Sequence, residues 1–291
     1  MSPTHETHIP KGRSLSRAAR ACGFAYAIAC AFPLALTFAA AAAAAAAALA
    51  GVPAASAALF EIPLPVPGDS SWKPLLFRSI ERPTRFEVMD DPDGRPAFRA
   101  TSDCGASALL LELPADFDLT KTPRLAWRWR VEQGIDATRH DEKTKAGDDF
   151  AARVYVLHGF DADRSTAWQR MEHKMGRTLF GAETPGETIN YVWADQVDQG
   201  QSWTSPSRDE AMILALETSS SAPSSSTWRE AIVDLPLDAA RLFSPPPRKA
   251  PYAIGLMSDS DGFCQRSVAW FSDFRLLGPA TETPEGDAAA P

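Results

Sequence analysis

Histidine and cysteine are scarce in this 291-residue chain, with five and four residues respectively. Beyond residue 57 the only histidines are His140, His158 and His173, and no two stand at metal-ligand spacing. The patterns H-E-x-x-H, C-x-x-C and G-x-S-x-G are all missing, which removes the zinc-hydrolase helix, the dithiol redox pair and the serine nucleophile elbow. Neither phosphate-cradling pattern, G-x-x-x-x-G-K or G-x-G-x-x-G, occurs. Positive charge is also in deficit: 29 Lys+Arg face 37 Asp+Glu, for a net charge of −8. A chain of that sign gains nothing from counterion release on a polyanion, so nucleic acid is not an expected partner.

Charge of either sign is absent from residues 21–50. Lys11, Arg13, Arg17 and Arg20 precede that stretch, and Ala55-Ser56-Ala57 follows it. Basic residues, an apolar run and then small residues form the order of a secretory signal peptide over residues 1–57, with cleavage after Ala57 and a periplasmic or secreted product. The same 30 uncharged residues are long enough to cross a bilayer, so a retained anchor is the alternative, and only then is a membrane a partner. The run is mostly alanine and Pro33 interrupts it. Loss of the leader removes four basic residues and one acidic one, taking the net charge from −8 to −11. It also removes Cys22 and Cys30, leaving Cys104 and Cys264 as a candidate disulfide in an oxidising compartment. Two separate buried thiols are the alternative.

The exported part divides by composition. Residues 58–71, with Pro63, Pro65 and Pro67, read as an extended arm. Residues 279–291, rich in Pro, Thr, Glu and Ala, read as a disordered tail. Between them, over 72–278, apolar residues recur at every second position. Leu125, Trp127, Trp129 and Val131 alternate with Arg124, Ala126, Arg128 and Arg130. Val154 and Val156 oppose Arg153 and Tyr155, and Met212, Leu214 and Leu216 alternate with their neighbours. Val268, Trp270 and Phe274 are set against Ser267, Ala269 and Asp273. Turn residues at Asp93-Gly94, Gly147-Asp148 and Asp261-Gly262 separate the runs. One segment breaks the period: Trp168, Met171, Met175 and Leu179 fall at helical spacing over 165–180, before Gly181. A shorter helix is expected over 237–243. The fold expected is mostly β, an antiparallel β-sandwich of jelly-roll type with one inserted amphipathic helix.

Three groups of residues can carry chemistry. In Lys145-Ala-Gly147-Asp148-Asp149-Phe-Ala-Ala-Arg153-Val-Tyr155, carboxylates stand at a strand entrance, and Asp149, Arg153 and Tyr155 are expected on one face. The group is either a polar groove for a ligand such as a sugar, or an Asp–Arg ion pair with Tyr155 packed beside it. Asp259 and Asp261, at i and i+2, point the same way in an extended chain. They are either an acidic turn or two of the six to eight oxygens a Ca²⁺ ion needs, so no cofactor is expected and Ca²⁺ is the one metal the pattern allows. All eight tryptophans lie beyond the leader. Trp127, Trp129, Trp193 and Trp270 are expected in the core, and Trp72 and Trp203 in loops as stacking platforms.

These runs, Leu-Ala-Trp127-Arg-Trp129-Arg-Val, then Lys145-x-Gly147-Asp148-Asp149-Phe-Ala-Ala-Arg153-Val-Tyr155-Val, then Leu179-Phe-Gly181 with Tyr191-Val-Trp193, then Met257-x-Asp259-x-Asp261 and Ala269-Trp270, resemble the bacterial domain of unknown function 3047 family over about residues 72–277. Two places depart from its pattern: Gly262-Phe263, where the family tends to Asn-Thr, and Phe271-Ser272-Asp273, where it prefers Tyr-Gly-Asp. The resemblance implies an exported β-rich domain and no particular reaction. The function expected is a non-catalytic periplasmic module that binds a ligand or a carbohydrate. Two alternatives stand beside it. One is an envelope polysaccharide hydrolase using Asp148 or Asp149 with Asp259. The other is an envelope scaffold or protein-interaction domain.

Overall fold

The computed structural model describes residues 60–138, 141–167, 169–171, 173, 185–219 and 227–280. The leader lies outside the described residues, as do residues 281–291 of the expected tail. So do Trp168, Met175 and Leu179 of the helix expected over 165–180, although residues 167, 169–171 and 173 of that span are helical. Among the described residues no helix is long and apolar enough to cross a membrane.

Two sheets face each other. In the first the strand order is β11 (Arg229–Asp234), β6 (Arg124–Gln133), β13 (Arg266–Leu277), β4 (Pro96–Asp103) and β3 (Arg85–Asp90). A short β1 (Glu61–Pro63) pairs with the far end of β13. The second runs β2 (Trp72–Leu76), β5 (Ala106–Glu112), β12 (Pro251–Asp259), β7 (Arg153–His158), β8 (Thr188–Ala194), β10 (Ala211–Thr218) and β9 (Ser202–Thr204). The chain crosses repeatedly from one sheet to the other, in the manner of a jelly roll. Among the described strands the pairing is antiparallel except at one place: β8 and β10 run parallel, the connection between them carrying β9. The Pro-rich arm is not wholly free, because three of its residues form β1 and Leu64 donates its amide to the Phe274 carbonyl at 2.9 Å.

The core follows from the alternation on β6. Leu125, Trp127, Trp129 and Val131 turn inward, fully or almost fully buried. Trp127 meets Trp129 edge to face at 5.3 Å between centroids, and across the sandwich they meet Tyr191 and Trp193 of β8, each at 5.7 Å. Aromatic contacts of this kind add to the area each ring withdraws from water, and together they hold the layers in register. Trp72 belongs to this core as well. It opens β2, lies 5.4 Å from both Phe98 and Phe274, and donates its indole N–H to the Pro65 carbonyl at 2.9 Å. The loop platform expected there is therefore a buried core residue that ties down the arm.

A second correction concerns β13. Its pairing with β6 shifts register between Ser272 and Arg275, and Asp273 there has φ 60°. Before that point Ala269 and Phe271 point inward and Trp270 outward, and the extra residue reverses the faces so that Phe274 and Leu276 point inward beyond it. On that outer face Trp270 lies under the guanidinium of Arg130 at 4.7 Å and donates to Glu132 at 2.7 Å. Helix α1 (Leu235–Leu242) closes the sandwich beyond β11. Asp234 caps it by accepting from the Leu237 amide at 2.9 Å, and Asp238 accepts from the buried Tyr191 hydroxyl at 3.0 Å.

Cys104 and Cys264 are joined as a disulfide, tying the β4–β5 turn to the β12–β13 loop over 160 residues of chain. Constraining the unfolded chain over so long a loop is worth at most about 5 kcal/mol. Reduction of the purified protein should lower the melting temperature by several degrees, measured by circular dichroism, and an unchanged melt would show that the bridge contributes nothing. His158 gives a second check. Burial pushes its imidazole pKa down to about 4, while its Nδ1 lies 3.2 Å from the Glu187 carbonyl oxygen. The unfolded chain binds that proton near pH 6.5 and the folded chain does not, so this contribution is complete above pH 6.5 and is lost as pH falls toward 4. Urea titrations should show His158→Gln flattening the stability slope across that window by about 3 kcal/mol. An unaltered slope would exclude the buried neutral imidazole.

Candidate functional site

The outer face of the second sheet is hollowed. Where β5 and β12 run side by side, the outward positions Ala106, Ala108 and Leu110 stand opposite Asp259, Met257 and Gly255, and the two alanines lie buried beneath Met257 and its apolar neighbours. A Cβ on Gly255 would stand 3.0 Å from the Leu110 side chain, so the glycine lets that leucine lie across the strand. Taller residues rise on either side, Leu75 and Phe77 from β2 and its exit, and Tyr155 from β7. The result is a groove of about 610 Å³ with an apolar floor. Asp148, Asp149, Arg153, Tyr155, Asp259 and Asp261 all line it, drawn from the β7 entrance and the end of β12.

Arg153 organises the polar end. Its side chain is almost wholly buried, and its Nε and Nη2 donate to the two oxygens of Asp259 at 2.8 and 2.6 Å. Its Nη1 donates to Asp148 Oδ1 at 3.0 Å, and Nη2 also reaches the Asp148 carbonyl. The planar face lies 4.5 Å from the Phe150 ring centroid. Asp148 accepts in turn from the Ser207 hydroxyl at 3.1 Å, and Asp259 from the Phe150 amide at 3.1 Å. The ion pair expected between Arg153 and Asp149 is thus placed differently. Residues 149–152 precede β7 and are not extended strand, so the four-residue spacing does not put Asp149 beside Arg153. Asp149 instead holds the β12–β13 loop, accepting from the Phe263 amide at 2.7 Å. Gly262 lies so close that an added Cβ would stand 3.2 Å from both Asp149 oxygens. The Gly262-Phe263 departure thus has a local role: a residue without a side chain admits the carboxylate to the loop backbone.

The electrostatics follow from this crowding. Burial pushes Asp149 above the usual carboxylate range, with the nearby Asp261 adding to the effect. Burial also raises Asp259, against the lowering pull of Arg153. Burial pushes the Tyr155 phenol up, and its hydroxyl lies 3.0 Å from the Met257 sulfur. One oxygen from each of Asp149, Asp259 and Asp261 lies within 4.8 Å of the others. The spacing suits a carboxylate pair or part of a cation site, but both Asp259 oxygens are already engaged by Arg153.

The groove also contains residues that the alternation did not single out. Lys145, Ser207 and Arg208 line it beside the acidic residues, and Leu75, Phe77 and Ile80 supply apolar lining. Trp203, expected as a platform, sits instead in β9, half-buried and 6.3 Å from the Phe150 ring. Removing Arg153 leaves two carboxylates in the wall without a counter-charge. Urea denaturation of Arg153→Met should show a loss of about 3–5 kcal/mol, partly restored in the Arg153→Met/Asp259→Leu double variant. A single variant as stable as the parent would show that the pair is not structurally coupled.

Comparison with solved structures gives only weak likenesses. The family 11 carbohydrate-binding module from Clostridium thermocellum, in complex with a beta-1,3-1,4-mixed-linked tetrasaccharide, is 10% identical at a TM-score of 0.38, over 75% of this chain and 95% of that one. The family 11 module of the Clostridium thermocellum cellulosomal cellulase Lic26A-Cel5E aligns over 76% and 96% with the same identity and score. The agarase AgWH50C is 11% identical at 0.28, and the match spans 76% of this chain and a quarter of the enzyme. Likenesses of this degree carry no inference about a ligand. No curated protein matches the sequence. The model of a protein family of unknown function, DUF3047, matches residues 70–275, and the chain belongs to that family.

Proposed function

We propose that the chain is a non-catalytic, exported binding module that holds a small ligand, a carbohydrate by class, in the groove on the outer face of its second sheet. The observation that carries this reading is convergence. Polar residues from the β7 entrance, the end of β12 and the 205–208 loop meet at one end of a single cavity whose floor is apolar. A volume of about 610 Å³ is in the range of small-molecule sites, and a few fixed polar groups beside an apolar surface is how such sites set orientation. A pyranose has both surfaces in one molecule, a C–H face for the floor and hydroxyl edges for the rim.

The hydrolase alternative is less well supported by the same geometry. A retaining glycosidase needs two carboxylates about 5 Å apart, one free to attack and one free to donate a proton. Asp149 and Asp259 satisfy the distance, but Asp259 is buried and both its oxygens accept from Arg153. Export, with cleavage after Ala57 into the periplasm or beyond, belongs to the same proposal. It rests on the leader pattern and fits the Cys104–Cys264 bridge, which an oxidising compartment sustains.

A glycan array probed with the full chain should return a retained class of saccharide, and Phe77→Ala, which removes a half-buried apolar side chain from the groove lining, should abolish the signal in a variant whose melting curve shows that it folds. An array without signal, or a variant that binds like the parent, would overturn the assignment of this groove.

A further inference from the structure

Asn190 is the only asparagine in the chain, and it lines the groove from β8. Ile189, Tyr191 and Trp193 of that strand turn into the core, so Thr188 and Asn190 face outward. Asn190 is 3% exposed, and among the described residues its Oδ1 has no hydrogen-bond donor. Of the buried side-chain oxygens and nitrogens without a hydrogen bond among those residues, it alone belongs to a residue lining this groove. The adjacent side chains do not serve it. Across the ladder stand Tyr155, whose hydroxyl donates to the Met257 sulfur at 3.0 Å, and Ile213, which has no polar side-chain atom. The Thr188 hydroxyl donates to the Gly186 carbonyl at 3.4 Å. A buried acceptor left unmet costs stability, and a donor brought in by a ligand recovers that loss as affinity.

The chemistry of the missing partner follows from the carboxamide. A hydrocarbon has no proton to donate and an ionised carboxylate only accepts, so neither meets Oδ1. An ammonium group donates but accepts nothing from the amide nitrogen. A hydroxyl does both. The amide is planar, with acceptor and donors side by side, and a turn about its last torsion brings either end toward the groove. Two adjacent hydroxyls on a sugar ring match that pair.

We propose that Asn190 selects the ligand of this groove, a neutral saccharide with two adjacent free hydroxyls, one donating to the amide oxygen and the other accepting from the amide nitrogen. This rests on the reading of the groove as a carbohydrate site, and adds the residue that reads the sugar and the pair of groups it reads.

Because the chain has one asparagine, isotope-labelled asparagine in the full chain gives a single side-chain amide signal by nuclear magnetic resonance. Methyl-labelled methionine reports the groove separately through Met257, identified by its loss in Met257→Leu. Cellotetraose, xylotetraose and maltotetraose are the probes, and at least one should move both signals. By isothermal titration Asn190→Leu should weaken that saccharide at least about tenfold. The variant should melt no lower than the parent, because it removes an unmet polar atom. The role of Asn190 is overturned, and the groove reading survives, by a probe that moves Met257 and leaves the asparagine signal in place, by a variant that binds within about twofold of the parent, or by one that melts well below it. If none of the three probes moves either signal, both fail together.

Discussion

A guanidinium taken out of water is the constraint on which this face of the molecule depends. Arg153 is almost wholly buried and remains charged, so its donors must be met within the protein. Its partners come from separate parts of the chain, Asp259 at the end of β12 and Asp148 in the approach to β7. The arginine therefore fixes the approach loop against a strand 106 residues away. Asp149, adjacent in sequence, is turned toward the next loop and holds the Phe263 amide. One buried charge thus aligns the β7 entrance, the end of β12 and the loop after it. Those are the segments that form the polar end of the groove.

The disulfide acts on the same loop from the other side. Cys264 follows Phe263 directly, and its bridge to Cys104 reaches the turn that leads into β5, the strand carrying Ala106 and Ala108. β5 and the acidic rim of the groove are consequently held together covalently as well as by the Asp149 carboxylate. Gly147 and Gly262 permit the close approaches involved. A Cβ at Gly147 would stand 2.2 Å from the Asp141 carbonyl, so the loop before Asp148 closes only with glycine there.

Much of the sandwich was legible where alternation was strict. The inward set on β6 and the pairing of Val154 and Val156 against Arg153 and Tyr155 are what the structure holds. Legibility failed where a feature of the pairing broke the period. One extra residue near Asp273 reverses the faces of β13, and no pattern of hydrophobicity marks it, because both faces of that strand are buried. The parallel pairing of β8 with β10 was likewise unreadable, since it depends on where the intervening β9 lies. Of the candidate site, the six polar residues were named from their spacing and the structure brings them to one cavity. Their pairing was misjudged, because a four-residue interval implies a shared face only if the chain is extended throughout. The apolar lining was unreadable because Leu75, Phe77 and Ile80 fall at the end of β2 and beyond it, where no alternation marks them.

A comparison of the two outer faces shows why one is open and the other is not. The first sheet carries Arg99, Arg128 and Arg130 outward, and these stack over Trp228 and Trp270 at 4.7 to 5.7 Å. Long side chains lie flat there, and acidic neighbours meet them, as Glu132 does Arg99 at 3.1 Å and Asp91 does Arg128 at 3.3 Å. Such a face has its charges answered and its apolar rings covered by its own residues, so it offers little to a ligand. On the second sheet Ala106 and Ala108 are buried beneath Met257, Leu75, Phe77, Ile80 and Tyr155, and these larger residues supply the apolar lining of the groove. Its one central arginine is drawn into the wall, leaving acidic groups at the rim and an apolar floor below. The same alternation that builds the core therefore makes one exterior self-satisfied, while on the other an apolar cluster and a set of acidic groups line one groove.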